Sequence, residues 1–135
     1  MAVTVSLINM KGGVGKTTLA AQLAHAADRQ NIRTLVVDLD PQSNLSQAIL
    51  SPEKYVKLLK DKKPTVSAIF ESYLPPSNSS DSPKPVDIKD VIIKKAGYWA
   101  DTTLDLIPSR LELTQKKKNP TSKERRLAKA LSKIS

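Results

Sequence analysis

The chain predicts an α/β fold, a parallel sheet with helices on both faces. Three observations lead there. Two short apolar runs rich in β-branched residues, Val3–Asn9 and Arg33–Asp38, flank one long stretch of helical period. Each run stops in a polar loop, one glycine-rich and one acidic. A third run, Thr103–Ile107, closes on Pro108 after further helical stretches. Strands alternating with helical patterns read as β-α-β units, which bring the carboxyl ends of parallel strands to one edge.

In order along the chain, Val3–Asn9 partly alternates and then turns wholly apolar, as a buried parallel strand does. From Lys16 to Gln30, Leu19, Leu23, Ala26 and Ala27 recur at helical spacing beside Ala20 and Ala24, so a small-residue face can lie close to the sheet. His25 reads as a partly exposed helix residue, not a ligand. Arg33–Asp38 is the second strand, ending in acids at the edge that carries the glycine loop. Asn44–Leu50 predicts a short helix, and Ser51-Pro52-Glu53 restarts one that runs to Leu59, with proline in the first turn. Thr65–Tyr73 predicts another, capped by Thr65. Residues 75–86 hold four prolines, serines and little that is apolar, and read as a flexible insertion loop. In Asp87–Lys95, Ile88, Val91 and Ile92 suggest a short amphipathic helix. After the strand Thr103–Ile107, residues 115–135 read as a basic loop and a last helix, Lys123–Ile134, capped by Ser122.

At 135 residues the chain is one domain, with roughly two thirds of its unfolded surface to bury. Its core must be aliphatic, because one Phe, one Trp and three Tyr are the whole aromatic stock. The absence of cysteine excludes disulfides, thiolate metal sites and cysteine nucleophiles, and a single histidine argues against a zinc cluster. Met1-Ala2-Val3-Thr4 lacks the basic start of a secretory signal, and no apolar run approaches the ~18 residues of a membrane span. The expectation is a soluble cytoplasmic protein with no membrane partner. The formal charge of +9 gathers towards the carboxyl end, in Lys116, Lys117, Lys118, Lys123, Arg125, Arg126, Lys129 and Lys133. Such a patch attracts nucleic acid or anionic lipid; the plainer reading is a solvated helix behind a lysine-rich loop.

The segment Lys11-Gly12-Gly13-Val14-Gly15-Lys16-Thr17-Thr18 reads as a phosphate-binding loop between strand and helix. Glycines let backbone N–H groups converge on an anion, and the helix presents its positive end. The common pattern places a glycine five positions before Gly15; here that position is Met10, and a second lysine, Lys11, follows it. By charge and donor type, Lys16 serves the β- and γ-phosphates and the Thr17 hydroxyl serves Mg²⁺. The two acids Asp38 and Asp40 end the second strand; each reads either as part of the same site or as a cap after a strand.

The deviant loop Lys-Gly-Gly-x-Gly-Lys-Thr-Thr resembles that of the ParA/Soj/MinD group of P-loop ATPases. Asp38-Leu39-Asp40-Pro41-Gln42-Ser43-Asn44 is similar to a segment of ParA/Soj partition proteins, and Leu104-Asp105-Leu106-Ile107-Pro108-Ser109-Arg110-Leu111-Glu112-Leu113 is a weaker match to the same group. The resemblance implies a P-loop NTPase fold. It implies that Gly12, Gly13, Val14, Gly15, Lys16, Thr17 and Thr18 hold ATP and that Thr17 ligates Mg²⁺. It further implies that Asp38 holds a metal-bound water, that Asp40 orients the attacking water, and that Lys11 reaches ATP bound by a second subunit in an ATP-sandwich homodimer. The implied function is plasmid or chromosome partitioning, with ATP-dependent dimerisation, weak Mg-dependent hydrolysis, nonspecific DNA and a centromere-binding ParB-type protein as partner. The protein would be nucleoid-associated if it binds DNA. The family's Walker B strand and later strands have no counterpart in residues 1–135, so the expectation is the N-terminal part of one such domain, natural truncation or fragment, with the ATPase activity itself open. Two other readings stand beside it: a non-enzymatic nucleotide-binding module that regulates a full-length ParA, and a MinD-like cell-division ATPase.

Overall fold

The structure is a computed structural model and describes residues 2–71 and 86–110. The insertion loop at 75–86, apart from Val86, and the basic segment 115–135 with its helix lie outside the described residues.

Two strands, β1 (Thr34–Val37) and β2 (Leu104–Ile107), pair in parallel, with Thr34 opposite Leu104 and Val37 opposite Ile107. Five helices accompany them among the described residues: α1 (Lys16–Arg29), α2 (Asn44–Ile49), α3 (Pro52–Lys60), α4 (Val66–Glu71) and α5 (Ile88–Val91). Strand alternation divides the core into two layers. Val36, Leu104 and Leu106 face Ala21, Ala24, Ile49, Leu50 and Leu58 of α1 to α3. Leu35, Val37 and Ile107 face Val66, Ile69, Ile88 and Val91 of α4 and α5. Helices therefore cover both faces of a parallel sheet, as the sequence predicts.

Local chemistry accounts for the helix limits. Ser51 accepts a hydrogen bond from the Lys54 N–H at 3.3 Å and Pro52 opens α3, the arrangement in which a missing proline N–H costs nothing. Thr65 precedes α4, whose first N–H, that of Val66, donates to Pro108 O at 2.8 Å and ties the helix to the end of β2. The expected extension of α4 to Tyr73 passes beyond the described residues after Glu71.

Two expectations need correction. Val3–Asn9 joins no ladder among the described residues, and Val3, Ile8 and Met10 stand 86%, 87% and 104% exposed. A strand apolar on both faces is stable only inside a sheet covered above and below, and the pair β1–β2 supplies no such slot. The helix expected over Asp87–Lys95 stops at Val91, where Ile92 turns extended. Ile93 instead bridges antiparallel to Leu106, with N–H to O bonds of 2.8 and 2.9 Å in the two directions. The free edge of β2 needs those backbone partners, and β-branched isoleucine suits the extended form.

The amino-terminal side of β2 is anchored to α1 through Asp28, which is only 5% exposed. Its carboxylate accepts bonds from the Thr102 hydroxyl at 2.6 Å, the Thr103 N–H at 2.7 Å and the Thr103 hydroxyl at 3.2 Å. Gly97 lies against this cluster so closely that an added Cβ would strike Thr102 Oγ1 and come within 3.0 Å of Asp28 Oδ2. Burial by itself pushes the Asp28 carboxyl up, but the Thr102 and Thr103 donors, with His25 nearby, hold it below its usual value of 3.8. A carboxyl depressed in the folded chain contributes stability that is present above its unfolded value and lost as pH falls through the folded one. Urea denaturation at about pH 5 and about pH 3 should therefore show a loss on acidification that Asp28→Asn largely removes. An unchanged acid profile in that variant would refute the assignment.

Candidate functional site: a glycine loop and an acid loop

The glycine loop reaches α1 through two left-handed backbones, Gly13 at φ 72° and Gly15 at φ 82°. Residues with a Cβ adopt that conformation only at a cost, so it favours glycine at these two positions. Space above them is open: a Cβ added at Gly12, Gly13 or Gly15 would meet nothing within 4 Å. No side chain caps α1 at Gly15. The N–H groups of Lys16, Thr17 and Thr18 thus have no hydrogen-bond partner among the described residues, leaving the positive end of a 14-residue helix open. Lys16 folds back so that its Nζ donates to Lys11 O at 2.9 Å, and the Lys11 N–H donates to Asn9 Oδ1 at 2.9 Å. The ammonium is held on the loop, at the Lys11 carbonyl. Val14 and Thr18 are exposed there, and the Thr17 hydroxyl makes no hydrogen bond among the described residues.

The acid loop leaves β1 where the Asp38 N–H donates to Ile107 O at 3.1 Å. Asp38 is 1% exposed. Its Oδ1 accepts the Asp40 N–H at 3.0 Å, and its Oδ2 accepts the Ser46 N–H at 2.8 Å and the Ser46 hydroxyl at 2.7 Å. Asp38 therefore caps α2 from a distance, a task that Ser43, left-handed at φ 54° and with no cap bond of its own, does not perform. Burial pushes the Asp38 carboxyl up and the Ser46 and Asp40 donors only partly offset it, with the Asp40 charge adding to the rise. Asp40 is exposed. Its backbone carbonyl accepts the Ser43 N–H at 2.9 Å, closing a turn with Pro41 in the second place, and its Oδ1 accepts the Gln42 N–H at 2.9 Å. The other carboxylate oxygen has no partner among the described residues. Tyr55 of α3 closes the loop from the side, its hydroxyl 2.7 Å from Ser43 Oγ.

The structure thus brings Lys11 and Lys16 together in one loop, and Asp38 and Asp40 in the other. Among the described residues no hydrogen bond or ion pair joins the two groups. The donor set suits a phosphate: unpaired N–H groups, one fixed ammonium and open space over the glycines. It suits Mg²⁺ through the unpaired Thr17 hydroxyl, with Asp38 at one remove because its oxygens already accept three protein donors. The described residues contain no group of three or more His, Cys, Asp or Glu able to hold a metal by themselves, and no helix long and apolar enough to cross a membrane.

Reasoning from sequence missed Ser46 and Ser109, which fasten the acid loop. The Ser109 N–H donates to Ser46 Oγ at 2.8 Å and the Ser109 hydroxyl to Asp40 O at 2.7 Å. Their partners are 63 and 69 residues away in sequence, so no local pattern marks them. Asp28 carried a signal: an acid at the end of a helix opposes the dipole and calls for a dedicated partner.

The chain is similar to known proteins along most of its length. A family model described as AAA domain matches residues 2–135. An uncharacterized protein of Methanocaldococcus jannaschii is 36% identical over 135 residues, covering 98% of the chain and 46% of the relative. The chromosome-partitioning ATPase Soj of Thermus thermophilus is 51% identical over 45 residues, 33% of the chain and 18% of that protein. A crystal structure of a plasmid partition protein from Borrelia burgdorferi superimposes with TM-score 0.63 at 27% identity, covering 92% of this chain and 47% of that one. The chain spans about half the length of the first and last of these. With the family model matched over nearly every residue and the fold shared with a partition protein, the chain belongs to the ParA/MinD-type AAA domain family and has the P-loop NTPase fold of the partition proteins.

Proposed function

We propose that the chain binds ATP with Mg²⁺ at the loop 11–18 and acts as a ParA-type ATPase in plasmid or chromosome partitioning. One observation carries the reading: the turn through left-handed Gly13 and Gly15 leads into α1 with its first N–H groups open, and the Lys16 ammonium is drawn onto the same loop. Gly12 to Thr18 hold the phosphates through their backbone, Lys16 neutralises charge between the β- and γ-phosphates, and the Thr17 hydroxyl ligates the metal, which when bound screens phosphate charge. Asp38 orders the acid loop and a water of the metal, and the free carboxylate oxygen of Asp40 orients the attacking water. Lys11, exposed beside the loop, acts across an ATP-dependent homodimer on the partner's nucleotide, as a finger residue does. The setting is cytoplasmic, on the nucleoid where residues 115–135 engage DNA, with a ParB-type protein as stimulating partner.

Sedimentation with Mg-ATPγS tests the dimer. The nucleotide should convert monomer to dimer, and Lys11→Ala should keep nucleotide affinity within about twofold while weakening dimerisation by tenfold or more, the scale of one or two charge-assisted bonds. Dimerisation unchanged in Lys11→Ala would remove the trans role. Phosphate release then separates turnover from a regulatory module that only holds nucleotide.

A further inference from the structure

Among the buried polar groups of the described residues, Ser46 and Ser109 connect to the acids of the acid loop and have no part in the reading above. Their bonds run from the end of β2 into the acid loop: Ser109 N–H to Ser46 Oγ, Ser46 Oγ–H to Asp38 Oδ2, and Ser109 Oγ–H to Asp40 O, at 2.8, 2.7 and 2.7 Å. Ser46 and Ser109 are fully buried, and Asp38 almost so. Two residues join the α2 side to the Asp40 turn: Asp38 through its carboxylate, on the Asp40 and Ser46 N–H groups, and Ser109 from the end of β2, on Ser46 Oγ and Asp40 O. Ser109 lies just past β2, whose last residue pairs with Val37 of β1, so the sheet itself is the reference frame for both of its bonds.

We propose that Ser109 is the positioning residue for Asp40, setting where the free Asp40 carboxylate oxygen stands. The geometry is a lever of two hydrogen bonds. Asp40 O accepts from two donors, the Ser43 N–H that closes the turn and the Ser109 hydroxyl that pins the turn to β2. The Asp40 side chain is in turn locked to that backbone through Gln42 N–H. The Asp40 N–H is held separately by Asp38 Oδ1 at 3.0 Å, so the turn has one anchor on each side of the Asp40 side chain. Loss of the Ser109 hydroxyl leaves the loop folded on the Asp38 anchor and releases the carbonyl side, so that the Asp40 carboxylate shifts, which matters only for a ligand that places a group in front of it. A displacement on the order of 1 Å at a catalytic group is costly in this way.

This inference rests on the nucleotide reading of loop 11–18, and the test separates the two. Binding of Mg-ADP and of Mg-ADP with tetrafluoroaluminate, which mimics a phosphoryl group in transfer together with its in-line water, is measured by calorimetry on the full chain. The unaltered chain should prefer the tetrafluoroaluminate complex over ADP alone. Ser109→Ala should reduce that preference about tenfold, the scale of one hydrogen bond, with ADP affinity kept within about twofold and α2 and the sheet intact by circular dichroism. Asp40→Ala should match it, and the double variant should lose no more than either alone, as expected when one residue acts through the other. Ser109→Cys, which keeps the volume with a weaker donor, should fall between and serves if Ser109→Ala does not fold. A purely structural Ser109 would lower the melting temperature and leave the preference untouched, which overturns the inference. An unaltered chain that binds ADP without preferring the mimic also overturns it and spares nucleotide binding. A folded chain that binds no ADP overturns the nucleotide reading, and the inference falls with it.

Discussion

Replacing Lys16 by alanine is expected to lower affinity for Mg-ATP by about a hundredfold or more while leaving the fold intact. Each charge-assisted hydrogen bond from an ammonium to phosphate contributes about 1.5–3 kcal/mol, and a hundredfold corresponds to about 2.8 kcal/mol. The loop concentrates that effect in one residue. Lys16 is the cation whose ammonium is already placed, 2.9 Å from Lys11 O, before any ligand arrives. Its bond to that carbonyl is exposed, so its loss leaves a solvated oxygen and little stability changes. Titration of a fluorescent ATP analogue into the unaltered chain and Lys16→Ala, with melting curves of both, decides the matter. Equal affinity would move the phosphate site away from this loop.

Asp38→Asn should destabilise the chain by about 1–3 kcal/mol at neutral pH, the usual cost of a buried donor left without its acceptor. Two backbone N–H groups and one hydroxyl converge on the two carboxylate oxygens. An amide keeps one oxygen, and its NH₂ must then face either the Asp40 or the Ser46 N–H, donor against donor. An opposing gain exists, because burial of the charge raises the Asp38 carboxyl and an amide carries no charge. The donors win because the group is 1% exposed and the unpaired N–H would have no water to turn to. The pH dependence follows from the same shift. A carboxyl raised in the folded state favours folding as pH falls through its folded value towards 3.8 and loses that contribution as pH rises. Protonated Asp38 meets the same donor clash as asparagine, so the gap between the two chains should narrow on acidification. Urea titrations at neutral and mildly acid pH measure both; a variant as stable as the parent at pH 7 would show that Asp38 does not organise the loop.

Much of this molecule was legible before folding. Gly13 and Gly15 stand where the left-handed backbone favours glycine, and the run from Lys16 has the period that makes α1, so loop and helix follow from neighbours in sequence. Ser51-Pro52 marked the start of α3 for the same reason. Failures came where partners are distant. Ile88, Val91 and Ile92 fit a helical pattern over Asp87–Lys95, yet the edge of β2, over ten residues downstream, drew Ile93 into a bridge. Val3–Asn9 carries strand composition but finds no strand to pair with among the described residues.

Residue types and spacing alone determined a glycine loop feeding a helix, acids at the end of a strand and an aliphatic core without cysteine; the motifs Lys11–Thr18 and Asp38–Asn44 resemble those of partition ATPases. Only the tertiary structure decided which acid is buried and which is free. Asp38 and Asp40 are two residues apart on one loop and chemically the same. Their difference arises because Ser46 closes over one carboxylate and Ser109 pins the backbone of the other. Burial and hydrogen bonding are properties of groups brought together across the fold, and no local pattern encodes them.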